Sequence, residues 1–581
     1  MINLCSAEFD ARKNSMFNKL KDIYGEERAS FILDEIINLI EKYSAITGQT
    51  SDGWVNENDV VLITYGDNIK ENNKPPLSSL KEFSDKYLSE VINSIHILPF
   101  YPYSSDDGFS VIDYYQVDPA LGGWKEIENL SKDYKLMFDG VINHISAGSE
   151  WFKQYLSGNP KYSNYFIESD PDADYSTVTR PRTLPLLSEF ETAHGNKYIL
   201  TTFSEDQIDL NFANEKVLLE ITELILFYIS KGAKLLRLDA IGYLWKKLGT
   251  SCIHLDEAHK IIQLFREIVD IVAPATVIIT ETNVPHKDNI SYFGDGTNEA
   301  HMVYQFSLPP LTLNAFHSGK ASHLLNWADS LEFPEGKACF FNFLSSHDGI
   351  GVMPAKGILS DEEINDLVEK VKEHGGFVSY KNNGDGTQSP YELNINYFDA
   401  LSHPDDSDEI KIKLFLAAHS LLISMAGMPA IYIHSLLGSR NYHKGVEITG
   451  RYRSINREKL DRKPLEAELE NTLTLRNKVF AEFSRLIKIR KSQGAFSPNA
   501  SKKVLKLNES IFSIIRSDEK EKILVLINVA ANEIKIDVPM EKTGLDKINK
   551  AVDLVSGAEI IINNGSLALS LAPYQVMWIK G

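Results

Sequence analysis

Cysteine is scarce: the chain of 581 residues has 3, at Cys5, Cys252 and Cys339, far apart and odd in number. That argues against a disulfide framework and against a zinc cluster. Cys252 and Cys339 stand in or near apolar segments, where a buried thiol is expected. Positive charge is also short. The 60 Lys and Arg are outnumbered by 80 Asp and Glu, for a formal net charge of −20, which argues against nucleic acid or an anionic membrane as a partner. An anionic ligand would need a local cationic pocket against this background. No apolar run is long enough to span a bilayer, and the first residues lack the basic-apolar-small order of a secretory leader. The expected compartment is the reducing cytoplasm. Internal repeats and low-complexity tracts are missing too.

With 43% hydrophobic and 24% charged residues, the composition is that of an ordinary globular protein, too long for one simple domain. Ala233–Asp239 (AKLLRLD) follows a helical run and a Lys-Gly stop, and reads as a short buried strand. Alternation puts Leu235, Arg237 and Asp239 on one face, where Arg237 is expected to hold Asp239 ionised. A lone Arg-x-Asp is more often a structural ion pair, but three other stretches share the pattern. Lys135–His144 (KLMFDGVINH) ends in Asp139, Asn143 and His144; Thr276–Glu281 (TVIITE) ends on a carboxylate; Cys339–Asp348 (CFFNFLSSHD) ends in His347-Asp348. Apolar strands that each deliver polar residues at their C-terminal ends, separated by helix-sized segments, predict an α/β fold, a (β/α)8 barrel with its site at the top.

These four stretches, in this order, resemble the signature regions of the α-amylase superfamily of retaining glycosidases, and Gln207-Ile-Asp-Leu-Asn211 resembles its fifth motif. The chemistry needs two carboxyls, one as nucleophile and one as acid then base. The resemblance implies Asp239 as nucleophile, Glu281 as acid/base and Asp348 as the carboxylate that grips sugar hydroxyls in the transition state. His144 and His347 would donate to ring hydroxyls. Asp139 and Asn143 would support the site. In the second-strand loop, Asp106 with Gly108 and Phe109 matches the segment that holds the sugar at the cleavage point.

Ala240-Ile-Gly-Tyr243 stands where amylases carry Lys-His, and resembles the sucrose phosphorylase branch; so does Arg453-Ser-Ile-Asn-Arg457. The resemblance implies that Arg453 braces the terminal glucose together with Asp106, and that phosphate attacks the glucosyl-enzyme in place of water. Arg is the residue suited to hold that phosphate. Arg182 matches the branch's phosphate contact, with Arg180, Arg440 and His443 as weaker candidates. The segment after Glu281 (Thr282–Asn289, with Tyr292–His301 beyond) and the N-terminal extension resemble the group of that branch that releases glycerate in place of fructose, with His286 and Lys287 as carboxylate contacts. Sucrose, sucrose phosphate or glucosylglycerol phosphorolysis, plain hydrolysis and, last, a non-catalytic barrel are the alternatives. The expected partners are small-molecule substrates, with no nucleic acid and no membrane, and no metal or other cofactor is implied.

The expected layout is a helical N-terminal extension (1–50), barrel segments (51–148, 215–350, 402–497), an aromatic-rich excursion domain (149–214), a second insertion (351–401) and a C-terminal β domain (498–581). Asp59–Tyr65, Ser94–Phe100 and Pro429–His434 read as further barrel strands, and Phe31, Ile32, Ile36, Leu39 and Ile40 as a helical apolar stripe.

Overall fold

A computed structural model of the protein describes residues 7–46, 54–181, 184–332, 338–383, 386–545, 549–562 and 565–581. Eight parallel strands close into a barrel: β1 (Val61–Thr64), β2 (Ser94–Ile97), β3 (Lys135–Gly140), β4 (Ala233–Leu238), β5 (Val277–Thr280), β6 (Met302–Tyr304), β7 (Cys339–Asn342) and β8 (Met428–Tyr432). Each pairs with its successor, and β8 returns to β1 through Ala430 beside Val61. Every residue of β1, β2 and β5 to β8 is buried. That is why they read as unbroken apolar runs, the mark of parallel strands covered on both faces. The expected strands are present but shorter: β2 stops before Pro99, which has no N–H to continue a ladder. The three-residue β6 had no counterpart among the expected strands.

Two helices, α1 (Ala7–Tyr24) and α2 (Glu26–Ser44), precede the barrel. Their buried stripe on α2 is Ala29, Ile32, Leu33, Ile36, Ile40 and Tyr43. Phe31 is 57% exposed, a correction to the expected stripe, because it sits one residue off the i, i+3, i+4 face. They pack on α3 (Glu215–Ser230) and α4 (Asp256–Val272), the helices that flank β4. Tyr24 donates to Phe212 O at 2.7 Å and Lys19 pairs with Glu267 at 2.9 Å.

After β3 the chain makes a helix (Glu150–Leu156) and a hairpin (Leu187–Thr192 with Gly195–Leu200). The ring of Phe152 packs on Phe166 and Phe190 at 5.0 and 4.9 Å. After β7 it makes a three-stranded sheet, Ile350–Gly351, Gln388–Asn394 and Phe377–Asn382, with a helix, Asp361–Glu373. From Ser501 the fold is β: a six-stranded sheet and a two-stranded one. The six-stranded sheet sorts its residues by alternation. Phe512, Ile514, Val525 and Trp578 join the barrel's core, while Ile511, Ile515, Leu524 and Ile579 face a second core. Cys252 and Cys339 are buried free thiols. Among the described residues no helix is long and apolar enough to cross a membrane.

Candidate active site

Register puts the chemistry together. Asp139 on β3 lies beside Arg237 on β4, and Arg237 beside Ile279 on β5. The chain continues the ladder past the strand ends: Asp239 N–H donates to Gly140 O and Glu281 N–H to Leu238 O, both at 3.1 Å. Asp239 and Glu281 are therefore neighbours at the C-terminal rim of two adjacent strands, as β/α barrels place their sites.

One buried guanidinium serves three carboxylates. Arg237 is 2% exposed; it binds Asp139, lies 2.9 Å from Asp239 and 3.8 Å from Glu281. Asp139 also takes His96 Nε2 at 2.6 Å, and is held below the ordinary carboxylate range by Arg237 and His96 against the opposing effect of burial. Asp239 is not held low, contrary to the expectation from Arg237 alone. Burial pushes it up to about 8, outweighing Arg237, and the Glu281 charge adds to the rise. Burial raises Glu281 as well. Two buried carboxyls that repel one another and divide one cation retain a shared proton. Arg237 stands nearer Asp239, so the anion belongs on Asp239 and the proton on Glu281. Glu281 Oε2 also accepts from Ala240 N at 3.1 Å. Ala240 is in the left-handed region, φ 50°, a costly conformation for a residue with a side chain, and this turn aims its N–H at Glu281.

The third carboxylate, Asp348, is set by the Arg453–Arg457 segment. Arg453 Nη1 lies 2.6 Å from Asp348. Asn456 Nδ2 donates to Ser346 O at 2.5 Å, and Arg457 Nε to His347 O at 2.8 Å. The motif thus grips three consecutive residues of the loop after β7. Burial opposes ionisation of Asp348, but the guanidiniums of Arg453, Arg457 and Arg237 together hold it well below the usual range. Arg453 gives its other edge to Glu392: Nε to Oε1 at 2.9 Å and Nη2 to Oε2 at 2.6 Å. Glu392, 2% exposed, also accepts from Gly349 N at 2.9 Å. A Cβ on Gly349 would meet Leu393 O at 2.6 Å, so glycine is what lets the inserted sheet approach the loop.

In the second-strand loop, Asp106 and Asp107 both have left-handed backbone, and a Cβ on Gly108 would come within 2.7 Å of Pro99 O. Arg453 was expected to act with Asp106. Asp106 and Arg453 line the same two chambers, and the Asp106 charge helps keep Arg453 protonated. The neighbouring Asp107 pairs with Arg457, while Arg453 also binds Asp348 and Glu392. Phe109 stacks on His347 at 4.8 Å, and burial drives His347 down to about 3. His347 is thus a neutral imidazole whose Nδ1 has no protein partner. His144 Nε2 donates to Phe109 O at 2.8 Å and lies 3.1 Å from Gln207 Nε2.

Asp106, Phe109, His144, Asp239, Glu281, His347, Asp348 and Arg453 line one inner chamber of about 90 Å³. A wider outer chamber of about 600 Å³ shares Asp106, Pro181, Tyr391 and Arg453 with it. Four of the expected phosphate and acceptor contacts, Arg440, His443, His286 and Lys287, are not on the wall of either chamber. Arg440 is bound to Asp399 and His443 Nε2 lies 2.7 Å from Gly375 O; neither lines a chamber. His286 and Lys287 face a separate cleft with Trp327 and Lys356, because Pro285 starts a short helix that turns them away from Thr282, Asn283 and Val284, which do line the inner chamber. Arg180 donates to Leu184 O. Arg182 lies outside the described residues; Pro181 and Leu184 line the outer chamber. Residues that sequence reasoning did not single out are Glu392, whose partners are remote in sequence, His96, and Lys246. The buried Lys246 donates to Asn143 Oδ1 at 2.8 Å and lies 3.5 Å from Asp209, so these oxygen donors face a cation supplied by the chain.

Three carboxylates at the rim of a (β/α)8 barrel, two sharing a proton, form the class of site that retaining glycosidic chemistry requires. Residues 84–349 match the α-amylase catalytic domain, and residues 503–578 the C-terminal domain of maltogenic amylase. Over 98% of this chain and 100% of the relative, the sequence is 47% identical to a glucosylglycerate phosphorylase of Escherichia coli. It is 31% identical to a sucrose phosphorylase of Streptococcus mutans, over 72% of this chain and 87% of that one. The fold matches a solved sucrose 6F-phosphate phosphorylase from Thermoanaerobacter thermosaccharolyticum with a TM-score of 0.72 at 23% identity, covering 88% of this chain and 99% of that one. The chain belongs to the α-amylase family, on the branch of the glucosylglycerate phosphorylases.

Proposed function

We propose that the protein is a retaining glycoside phosphorylase that cleaves 2-O-α-D-glucosylglycerate with inorganic phosphate, giving α-D-glucose 1-phosphate and D-glycerate. The observation that carries the reading is the full-length similarity to a glucosylglycerate phosphorylase, together with a chamber that gathers Asp239, Glu281 and Asp348. In the first step the Asp239 carboxylate attacks the anomeric carbon while Glu281 gives its proton to the departing glycerate oxygen. In the second, phosphate attacks the glucosyl-enzyme, its proton passes to Glu281, and the Asp239 carboxylate is released. Asp348, kept anionic by Arg453 and Arg457, accepts hydrogen bonds from sugar hydroxyls, and His347 and His144 face the same ring. Arg182, which follows Pro181 in the sequence and matches the phosphorylase branch's phosphate contact, is the proposed phosphate contact. The buried free thiols suit a reducing cytoplasm.

The test is a product assay on purified protein: glucosylglycerate with and without phosphate, beside sucrose and glucosylglycerol. Phosphate-dependent α-glucose 1-phosphate from glucosylglycerate supports the reading. Free glucose alone at saturating phosphate would make the protein a hydrolase, and preference for sucrose or glucosylglycerol would replace the acceptor.

A further inference from the structure

The outer chamber has three described cations on its wall, Arg451, Arg453 and Arg457, in a protein whose net charge is −20. Two of them are committed. Arg453 holds Asp348 and Glu392, with contacts on both edges of its guanidinium. Arg457 holds Asp107 and the His347 carbonyl. Arg451 is different: its side chain is exposed, and no described carboxylate lies within ion-pair distance of it. Its backbone is nonetheless anchored on both sides. Gly450, at φ 67°, ends the helix His443–Thr449, and Arg451 N–H donates to Thr449 Oγ1 at 3.2 Å. The next ring, Tyr452, stacks flat on Phe377 at 4.7 Å and 4°. A free planar fork on a fixed backbone, at the wall of a polar chamber, is suited to bind a carboxylate through two hydrogen bonds.

We propose that Arg451 binds the carboxylate of the acceptor and thereby selects a charged acceptor over a neutral one; this rests on the glucosylglycerate reading above. In that substrate the bridging oxygen sits on the carbon next to the carboxylate. The chamber that holds Glu281 shares Asp106, Pro181, Tyr391 and Arg453 with the outer chamber that Arg451 lines, and an acceptor carboxylate directed across that shared wall meets Arg451. Two carboxylates there, Asp106 and Glu392, would repel it. The cations nearest them are already paired, and Arg451 supplies the uncommitted positive charge.

The experiment runs the reaction in the synthetic direction with α-glucose 1-phosphate, measuring phosphate release with D-glycerate or with glycerol, a neutral acceptor of the same carbon skeleton. Wild type, Arg451→Ala and Arg451→Lys are compared. Loss of a charge-assisted contact should raise the apparent KM for D-glycerate in Arg451→Ala roughly tenfold to hundredfold. The preference for D-glycerate over glycerol should fall by the same factor, and Lys should restore part of it. Equal losses on the two acceptors, an unchanged KM for D-glycerate, or a rise confined to the KM for α-glucose 1-phosphate would each overturn the proposal, the last by showing that the anion held is phosphate. A wild type with no preference for D-glycerate would instead remove the glucosylglycerate reading, and the Arg451 assignment with it.

Discussion

Replacing Asp239 by Asn is expected to abolish turnover and yet stabilise the protein. Asp239 is 8% exposed and its carboxyl is pushed by burial from 3.8 up to about 8, with Glu281 raised beside it. Two carboxyls raised together by folding retain one proton between them that the unfolded chain has already lost. Its contribution to stability is fully present below about pH 3.8 and is lost as pH rises through about 8. Between pH 5 and pH 7 the pair therefore costs the wild type about 1.4 kcal/mol per pH unit, about 3 kcal/mol in all. Asp239→Asn leaves Arg237 with Asp139 and Glu281 only, so Glu281 no longer has a second raised carboxyl to share a proton with, and most of that slope is removed. For a chain of this size the gap in thermal midpoint between variant and wild type should widen by about 2–3 °C from pH 5 to pH 7. The assay is a series of thermal melts of both proteins at pH 5, 6, 7 and 8, with turnover measured on the same preparations. Loss of a nucleophile should cost on the order of 10⁴–10⁶ in kcat. A variant less stable than wild type at pH 8, or a gap that does not change with pH, would show that the pair does not hold an extra proton. Near-normal turnover would remove the nucleophile assignment.

Glu281→Gln should stall departure of glycerate and spare α-glucosyl fluoride, whose leaving group needs little protonation; equal losses in kcat on both donors would deny it the acid role. Arg182→Ala should raise the apparent KM for phosphate roughly tenfold to hundredfold and shift product from α-glucose 1-phosphate toward glucose, and unchanged product ratios would place the phosphate site elsewhere. Glu392→Gln keeps the shape but leaves Arg453 with one anionic partner; kcat/KM should fall about tenfold or more on every α-glucosyl donor, and full activity would show that Asp348 alone orients Arg453. Gly349→Ala forces a methyl against Leu393 O at 2.6 Å, and thermal melts should register about 1–3 kcal/mol of overpacking.

The barrel was legible wherever a strand carried its own chemistry. β4, β5 and β7 are apolar runs that end on Asp239, Glu281 and His347-Asp348 within a few residues, so strand and site were read together. β6 is three residues with no charged group at its end, and a run that short does not stand out by periodicity. The elevated Asp239 pKa was not legible either. Sequence shows Arg237 two residues away, but not that Asp139 has already taken that cation, nor how far burial excludes water. The exposed Phe31 and the displaced His286 and Lys287 share one cause: a residue type suggests a role, and a single position along a helix or a proline at its start decides which way it faces.

Loop chemistry was legible only as far as a motif reached. Arg453 to Arg457 is five residues, and its grip on Ser346, His347 and Asp348 follows from spacing alone once the loops meet. Glu392 is 61 residues from Arg453 and sits in an inserted strand whose alternation says only that one face is buried. The division has a physical basis. Strand positions are fixed by register, so the carboxylates proposed to perform bond cleavage share a single arrangement. The groups proposed to choose the acceptor lie on segments 391–394 and 450–457, which lean on one another through Glu392 and Arg453. A change of acceptor can then be made there without disturbing the Asp139–Arg237–Asp239 ladder beneath. Variants that alter acceptor preference should therefore fall in those two segments at positions other than Glu392 and Arg453, and variants that lower turnover with every donor on β3, β4, β5, the loop after β7 and the Glu392–Arg453 pair that holds it.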